Sequence, residues 1–232
     1  MKLFKNPPRL KTPWFFGASP EKARMSLREL SFANRFYGGT RSVLTSLAPL
    51  LTDHSQEVRI LDVGTGSADI PRAVVRWGRK LGIHLQVVAL DRHPEAVATA
   101  AATSKAFTEI QLVQSDVFGL PFRSRSFDFV TASMLLHYFP FKVVLQLLQE
   151  FASIAKQAVL VADIERHWFP CRAIDWISRL SRNRLIRKDF CQTVLRGFTY
   201  EEMEILAGKA GFVRWHIRRY FPFRLVLVGY VT

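Results

Sequence analysis

From Val58 onward, hydrophobic residues fall into short apolar runs that alternate with longer segments of helical spacing. The short runs predict five strands, and the segments between them predict helices that cover both faces of a sheet. Alternation of this kind is typical of an α/β fold with a parallel sheet. The predicted strands cover residues 59–63, 86–90, 110–114, 127–132 and 158–162, and the predicted helices cover residues 68–81, 94–104 and 142–155.

The two ends of the chain follow other patterns. Residues 1–20 contain four prolines and little periodicity, which favours an extended arm, and helices are predicted over residues 21–36 and 40–51. Near the other end, Thr199 and Glu202 have capping-box spacing and predict a helix from residue 199 to residues 208–211. Two closing strands, residues 212–220 and 224–231, meet across a proline. We therefore predict a doubly wound sheet of seven strands, mostly parallel with an antiparallel C-terminal edge strand.

A turn with two glycines follows the first predicted strand. Residues 60–69 read Ile-Leu-Asp-Val-Gly-Thr-Gly-Ser-Ala-Asp, so a buried strand leads into a sharp bend and then a helix. Gly64 and Gly66 let the backbone bend and come close to a ligand, toward which the amides of the following helix point. The motif is weak evidence when taken alone, because a plain tight turn has the same residues.

Acidic residues stand at the ends of three successive predicted strands, at Asp62, Asp91 and Asp116. Open α/β sheets bind ligands at the carboxyl ends of their strands, so these carboxylates are expected at one edge. A carboxylate at the position of Asp91 suits the two hydroxyls of a ribose. Any one of the acids could serve a structural turn, but the three together favour a nucleoside site.

With these residues the chain resembles the class I S-adenosylmethionine-dependent methyltransferases, in the small-molecule branch that includes quinone-biosynthesis enzymes. The resemblance covers residues 58–163 and includes Leu-Pro-Phe at 120–122 followed by Ser-Phe-Asp-Phe-Val at 126–130. It extends more loosely to residues 197–202 and 210–212. The resemblance implies a Rossmann-like fold and S-adenosylmethionine as the cofactor.

The resemblance also implies which residues bind that cofactor. Gly64 and Gly66 would lie under its methionine part, Asp62 near its amino group, Asp91 at its ribose, and Asp116 at its adenine edge. Ala68 is a departure, because the family often has a third glycine there. The full set of predicted cofactor-binding residues is Asp62, Gly64, Thr65, Gly66, Asp91, Arg92, Asp116, Val117 and Ser133.

Before the core, residues 34–39 read Asn-Arg-Phe-Tyr-Gly-Gly and resemble a segment of bacterial methyltransferases found with type III polyketide synthases. That likeness implies secondary metabolism and O-methylation of a phenolic, quinol or pyrone, including lipid-like ones. We predict that residues 1–57 form an arm and helices covering the cofactor site. Residues 58–232 would form the core, with residues 165–197 as a helical lid insertion.

The predicted catalytic residue is His137, which follows the fourth strand. Methyl transfer from a sulfonium is an in-line displacement that depends on positioning in a dry pocket, and no metal is expected. A hydroxyl acceptor needs a base, and histidine serves that use as well as structural hydrogen bonding. The predicted acceptor-binding residues are Tyr37, His137, Asp163, Arg166 and Trp168.

A formal net charge of +14 sets the chain apart, with arginines concentrated in residues 166–188 and 214–219. Basic residues mixed with aromatics suit RNA, an anionic membrane surface, or a solvated face without a partner. Residues 131–134 read Thr-Ala-Ser-Met and lack the Asn/Asp-Pro-Pro-Tyr/Phe motif of base-amine methylation, so we favour a small-molecule acceptor over rRNA or tRNA. A non-catalytic cofactor-binding protein of the same fold is the third alternative, motivated by Ala68.

Two cysteines far apart in the sequence, Cys171 and Cys191, indicate neither a disulfide framework nor a zinc site. No stretch approaches the roughly 18 apolar residues of a spanning helix, and the N-terminus lacks the apolar core of a signal peptide. A cytoplasmic protein is therefore predicted, with peripheral contact at the inner membrane surface left open.

Overall fold

The computed structural model describes residues 7–10, 27, 31, 34, 38–51, 57–169 and 191–232. The predicted helix over residues 21–36 lies mostly outside this part, although residues 27, 31 and 34 are helical. The helix expected inside the insertion also lies outside it. Within residues 165–197, the described residues 168–169 and 191–196 are helical.

The described residues form one seven-stranded sheet with the strand order β3-β2-β1-β4-β5-β7-β6. Strands β1 to β5 are parallel, while β7 runs antiparallel to both β5 and β6. This confirms the predicted α/β fold. The elements are α1 (Gly39–Leu51), β1 (Val58–Val63), α2 (Asp69–Leu81), β2 (Leu85–Asp91), α3 (Pro94–Thr103), β3 (Ile110–Gln114), β4 (Phe127–Ser133), a 3₁₀ helix (Leu136–Tyr138), α4 (Phe141–Ile154), β5 (Ala155–Ile164), α5 (Tyr200–Lys209), β6 (Arg214–Tyr220) and β7 (Arg224–Tyr230).

The core lies on both faces of the sheet, because side chains of each strand alternate between the faces. In β1, Val58 and Ile60 join an apolar cluster that includes α1 and α2. Leu61 and Val63 join a second cluster that includes α4 and α5. A strand buried on both faces reads as a continuous apolar run, which is why β1 and β4 were predictable from the sequence.

Strand β5 is longer than predicted, since it begins at Ala155 directly after α4 ends at Ile154. Ala155 pairs with Phe127 across a register shift, so the chain passes from helix to strand without a loop. At the other end of β5, Ile164 pairs with Arg224, the first residue of β7. The turn between β6 and β7 therefore lies at the same edge as the carboxyl ends of the parallel strands, and this edge holds the candidate site.

Candidate active site

The glycine turn after β1 has the sharp backbone that its sequence predicts. Gly64, Gly66 and Ala68 have φ angles of 72°, 57° and 57°, all in the left-handed region. A Cβ on Gly64 would lie 2.8 Å from Cδ1 of Leu135, so the turn closely approaches the segment after β4. Ala68 is fully buried and precedes α2 in this strained conformation, which favours glycine. The alanine is thus accommodated in the glycine-like backbone.

Asp62 is a buried carboxyl group beside this turn. Only 3% of the residue is exposed, and its Oδ1 accepts a 2.7 Å hydrogen bond from the Thr131 hydroxyl. Burial raises the pKa of Asp62 to about 6, although the hydroxyls of Thr131 and Thr65 act in the opposite direction. None of the described ion pairs involves Asp62. An ammonium group bound here would supply the missing counter-charge.

Asp91, the last residue of β2, ties the end of that strand to the glycine turn. Its Oδ2 accepts from the Gly66 amide at 2.9 Å, and its Oδ1 accepts from the His93 amide at 3.0 Å. The amides of Gly64 and Thr65 in turn donate to the Leu90 carbonyl at 2.8 and 2.9 Å. The turn and the end of β2 are therefore fixed to each other by three hydrogen bonds, those donated by the amides of Gly64, Thr65 and Gly66.

Asp116 and its neighbours lie farther out along the same edge. The side chain of Asp116 is 47% exposed, and its Oδ2 is 3.6 Å from a guanidinium nitrogen of Arg92. Val117 is buried beside it, and the Phe118 amide donates to Asp116 Oδ1 at 3.2 Å. Arg92, predicted to bind cofactor, thus makes an ion pair with another residue of the predicted site.

Ser133 and Thr65 complete the predicted cofactor set. The Ser133 hydroxyl at the end of β4 is buried and has no hydrogen-bond partner within the described part of the chain. Thr65 is buried next to Asp62, whose pKa its hydroxyl lowers. Buried hydroxyls normally find partners, so the Ser133 oxygen fits a position that receives a ligand group.

His137 and Asp163 form a buried pair at the ends of β4 and β5. Both side chains are 0% exposed, and His137 Nδ1 lies 2.7 Å from Asp163 Oδ1. The His137 amide donates to Asp163 Oδ2 at 3.1 Å, and the Ile164 amide donates to Oδ1 at 2.7 Å. Burial alone would raise the pKa of Asp163, but the neighbouring His137 and these hydrogen bonds hold it below its usual value.

The other imidazole nitrogen, His137 Nε2, is buried without a hydrogen-bond partner among the described residues. An ionised carboxylate at Nδ1 fixes the proton there and leaves a lone pair on Nε2. The arrangement can therefore accept a proton at Nε2, as a general base does.

The other predicted acceptor residues are placed as follows. Tyr37 lies outside the described residues, and Asp163 lies behind His137 in the buried pair. Trp168 belongs to an aromatic group in which its ring centroid lies 5.6 Å from that of His167 and 5.7 Å from that of Phe169. An acceptor contact by any of these residues is still a prediction.

Arg166 is occupied by the protein itself. Its guanidinium donates to both carboxylate oxygens of Glu202 at 2.9 and 2.6 Å, to the Gly197 carbonyl at 2.7 Å and to the Pro7 carbonyl at 2.9 Å. Glu202 also completes the capping box with Thr199 at the start of α5, which confirms the predicted helix start. These contacts give Arg166 a structural role, and its contact with an acceptor stays a prediction.

Three residues near the site escaped the sequence analysis as site residues. Arg224 is buried, and its guanidinium contacts Sδ of Met134, three residues before His137. Asn34 donates to Asp69 Oδ2 at 3.1 Å in the first turn of α2. Arg9 reaches the carbonyl of Phe139 at 2.9 Å. Asn34 had a signal, because it begins the 34–39 motif, whereas the two arginines make contacts that no local pattern indicates.

The sequence and the structure were both compared with known proteins. Residues 60–158 match the family model described as a methyltransferase domain. No curated protein matches the sequence.

Solved structures show the same fold at low sequence identity. An S-adenosylmethionine-dependent methyltransferase from Aquifex aeolicus is 15% identical, with a TM-score of 0.65 over 93% of this chain and 100% of that one. Human N-acetylserotonin methyltransferase in complex with SAM is 17% identical, with a TM-score of 0.65 over 91% of this chain and 56% of that one. The carbon methyltransferase CurJ is 13% identical, with a TM-score of 0.66 over 93% of this chain and 61% of that one.

None of the described helices is long and apolar enough to cross a membrane. Nor do the described residues contain a group of three His, Cys, Asp or Glu side chains arranged to hold a metal ion.

Proposed function

Because residues 60–158 match the methyltransferase domain and the chain has the fold of class I S-adenosylmethionine-dependent methyltransferases, we propose that this protein methylates the hydroxyl of a small phenolic, quinol or pyrone. The comparisons support S-adenosylmethionine-dependent methyl transfer as the coarse function. The observation that carries the choice of a hydroxyl is the buried His137–Asp163 pair with its free Nε2.

The carboxyl edge of the sheet suits S-adenosylmethionine. Asp62 offers a buried carboxylate to its ammonium group, Gly64 supplies the positive φ of the turn beside it, and Asp91 stands where the ribose is expected. When bound, the cofactor supplies a methyl group on a positively charged sulfur. The protein's part is to hold donor and acceptor in line and to keep water out.

His137 would act on the acceptor hydroxyl. Asp163 holds the imidazole by Nδ1, which would leave Nε2 to accept the proton of an acceptor hydroxyl. A base of this kind is useful for a hydroxyl or an acidic carbon and is not required for a neutral amine. The comparison with a carbon methyltransferase makes the acidic carbon the nearest competitor.

Turnover with labelled S-adenosylmethionine tests the proposal. Quinols, alkylresorcinols and total RNA are offered in parallel, and we expect label in a phenolic product. His137→Gln should lower kcat about 100-fold or more while the cofactor Kd, measured by calorimetry, stays within about twofold. Label entering only RNA, or only a carbon position, would overturn the choice of acceptor. Absence of cofactor binding at millimolar concentration would overturn the enzyme itself.

We also propose peripheral contact with an anionic membrane, supported by exposed aromatic residues at the site edge. Phe221, in the β6–β7 turn, is 91% exposed, and Phe169, after β5, is 48% exposed. Exposed aromatics together with a net charge of +14 suit an anionic interface, where a lipid-like acceptor would be available.

A further inference from the structure

Residues 7–10 of the N-terminal arm are fastened to the core close to His137. The Leu10 amide donates to the Leu195 carbonyl at 2.9 Å, and Arg166 holds the Pro7 carbonyl at 2.9 Å. Between these two attachments, Arg9 Nε donates to the Arg196 carbonyl at 2.7 Å. The four residues therefore form a strap with fixed ends, and the Arg9 side chain projects from its middle.

Arg9 joins two separate parts of the site. Its guanidinium carbon lies 4.2 Å from the centroid of the fully buried Phe198 ring. Its Nη2 donates to the Phe139 carbonyl at 2.9 Å and lies 3.5 Å from the His137 carbonyl. Phe198 is itself attached to the segment that follows β5, because the backbone amide of Arg166 donates to the Phe198 carbonyl at 2.8 Å.

The segment that Arg9 reaches needs such support. Residues Leu136–Tyr138 form a single turn of 3₁₀ helix, which has poor hydrogen-bond geometry and no side-chain cap at its start. Asp163 satisfies the amide of His137 from the inner side. A cation close to the carbonyl groups that end a helical turn is favourable. Arg9 supplies both the donors and the charge.

Burial lowers the pKa of Arg9, while the carboxylates of Glu202 and Asp163 oppose that shift. The guanidinium therefore lies within the electrostatic reach of the His137–Asp163 pair. We propose that Arg9 is a positioning residue, which clamps the 3₁₀ turn so that His137 Nε2 is held where the acceptor hydroxyl binds. This role rests on the proposed function, since it acts through His137.

The test compares Arg9→Ala, Arg9→Lys and the control Arg79→Ala. Like Arg9, Arg79 bridges two acceptors, in this case the Glu109 carboxylate and the Ala106 carbonyl, and it lies in α2 away from the site. Arg9→Ala should lower kcat about 10- to 100-fold, as misplacement of a catalytic group does, with the cofactor Kd within twofold of wild type. Arg9→Lys keeps the positive charge but loses the planar guanidinium, so its kcat should lie between those of Arg9→Ala and the wild type. Arg79→Ala should keep wild-type kcat.

Two further readouts separate positioning from a general loss of structure. In a His137→Gln background, Arg9→Ala should lower kcat by less than threefold, because the effects of two residues that act through one group are not additive. In NMR spectra, the imidazole Cε1–Hε1 cross-peak of His137, assigned by its loss in His137→Gln, should shift in Arg9→Ala and stay in place in Arg79→Ala.

Full additivity, a parallel loss of cofactor binding, or an unmoved cross-peak would each overturn the role of Arg9. If no acceptor is methylated by the wild-type protein, the proposed function fails, and the cross-peak alone decides whether Arg9 orders His137.

Discussion

Asp62, which we propose to bind the cofactor, weakens the fold because its carboxyl group is buried. Its carboxyl group is buried against Thr131, and its pKa lies near 6 instead of 3.8. The folded protein thus holds this proton more tightly than the unfolded chain does. Stability is lost as the pH rises from about 4 to about 6 and stays lower above that range. A difference of about two pKa units corresponds to roughly 3 kcal/mol.

Asp62→Asn should therefore stabilise the fold while weakening cofactor binding. At pH 7.5 we expect the free energy of unfolding to rise by about 1–3 kcal/mol, measured by urea denaturation, because a neutral amide is buried in place of a charge. The same change should weaken S-adenosylmethionine binding at least tenfold in calorimetry. In the wild type, binding should weaken as the pH falls below about 6.

Asp128→Asn is the control, since Asp128 pairs with Lys156 near the start of β4 and lies away from the site. It should leave cofactor binding unchanged. A destabilised Asp62→Asn protein, or one that binds the cofactor normally, would contradict this account of Asp62.

The turn between β1 and α2 combines backbone strain with close packing. Gly64 has a positive φ and lies against Leu135, whereas Gly82, at the end of α2, has a φ of 70° and no atom within 4 Å of an added Cβ. Gly119 has free space without a positive φ. These three glycines separate the effect of strain from the effect of contact.

Alanine at each glycine should give a graded result. Gly119→Ala should change the free energy of unfolding by less than about 0.5 kcal/mol, and Gly82→Ala should cost about 1 kcal/mol through strain alone. Gly64→Ala should cost about 1–2 kcal/mol and, alone of the three, weaken cofactor binding. Denaturation and calorimetry measure the two effects. Equal cofactor affinity in all three variants would argue against a cofactor at this turn.

Much of the fold at this scale was predictable, and the exceptions have physical causes. Each of β1 to β4 reads as a short, mostly apolar run between helical segments or turns, so these strands were found within one residue of their observed ends. The start of β5 at Ala155 was not, because no turn residue separates it from α4. Asp62, Asp91 and His137 could be singled out because each lies at or just beyond the carboxyl end of a strand. Arg9 could not, because its partners lie 130 and 187 positions away in the sequence.

For the whole molecule, the distribution of charge and aromatic side chains bears on where the protein acts. Phe221 lies at the site edge of the sheet, whereas Val213, which is 71% exposed, precedes β6 at the opposite edge. The net charge of +14 favours association with any anionic surface but does not set the orientation of the protein on it. An exposed ring at one edge would give such an association a defined orientation.

Vesicle sedimentation can test this arrangement. Wild-type protein should bind vesicles containing anionic phosphatidylglycerol and not vesicles of phosphatidylcholine alone, with binding reduced by salt. Phe221→Ser should weaken binding about fivefold or more, and the matched Val213→Ser should not. Equal effects of the two changes, or equal binding to both kinds of vesicle, would contradict an oriented membrane contact.

Strand β6 forms one edge of the sheet and carries Arg214, Arg218 and Arg219, all exposed. An edge strand leaves one row of backbone groups free to pair with another chain, and charged side chains oppose such pairing. We therefore expect part of the positive charge to oppose aggregation through this edge. The arginines of β6 can therefore be useful without contacting a ligand. Replacing them with neutral residues should first lower the solubility of the protein.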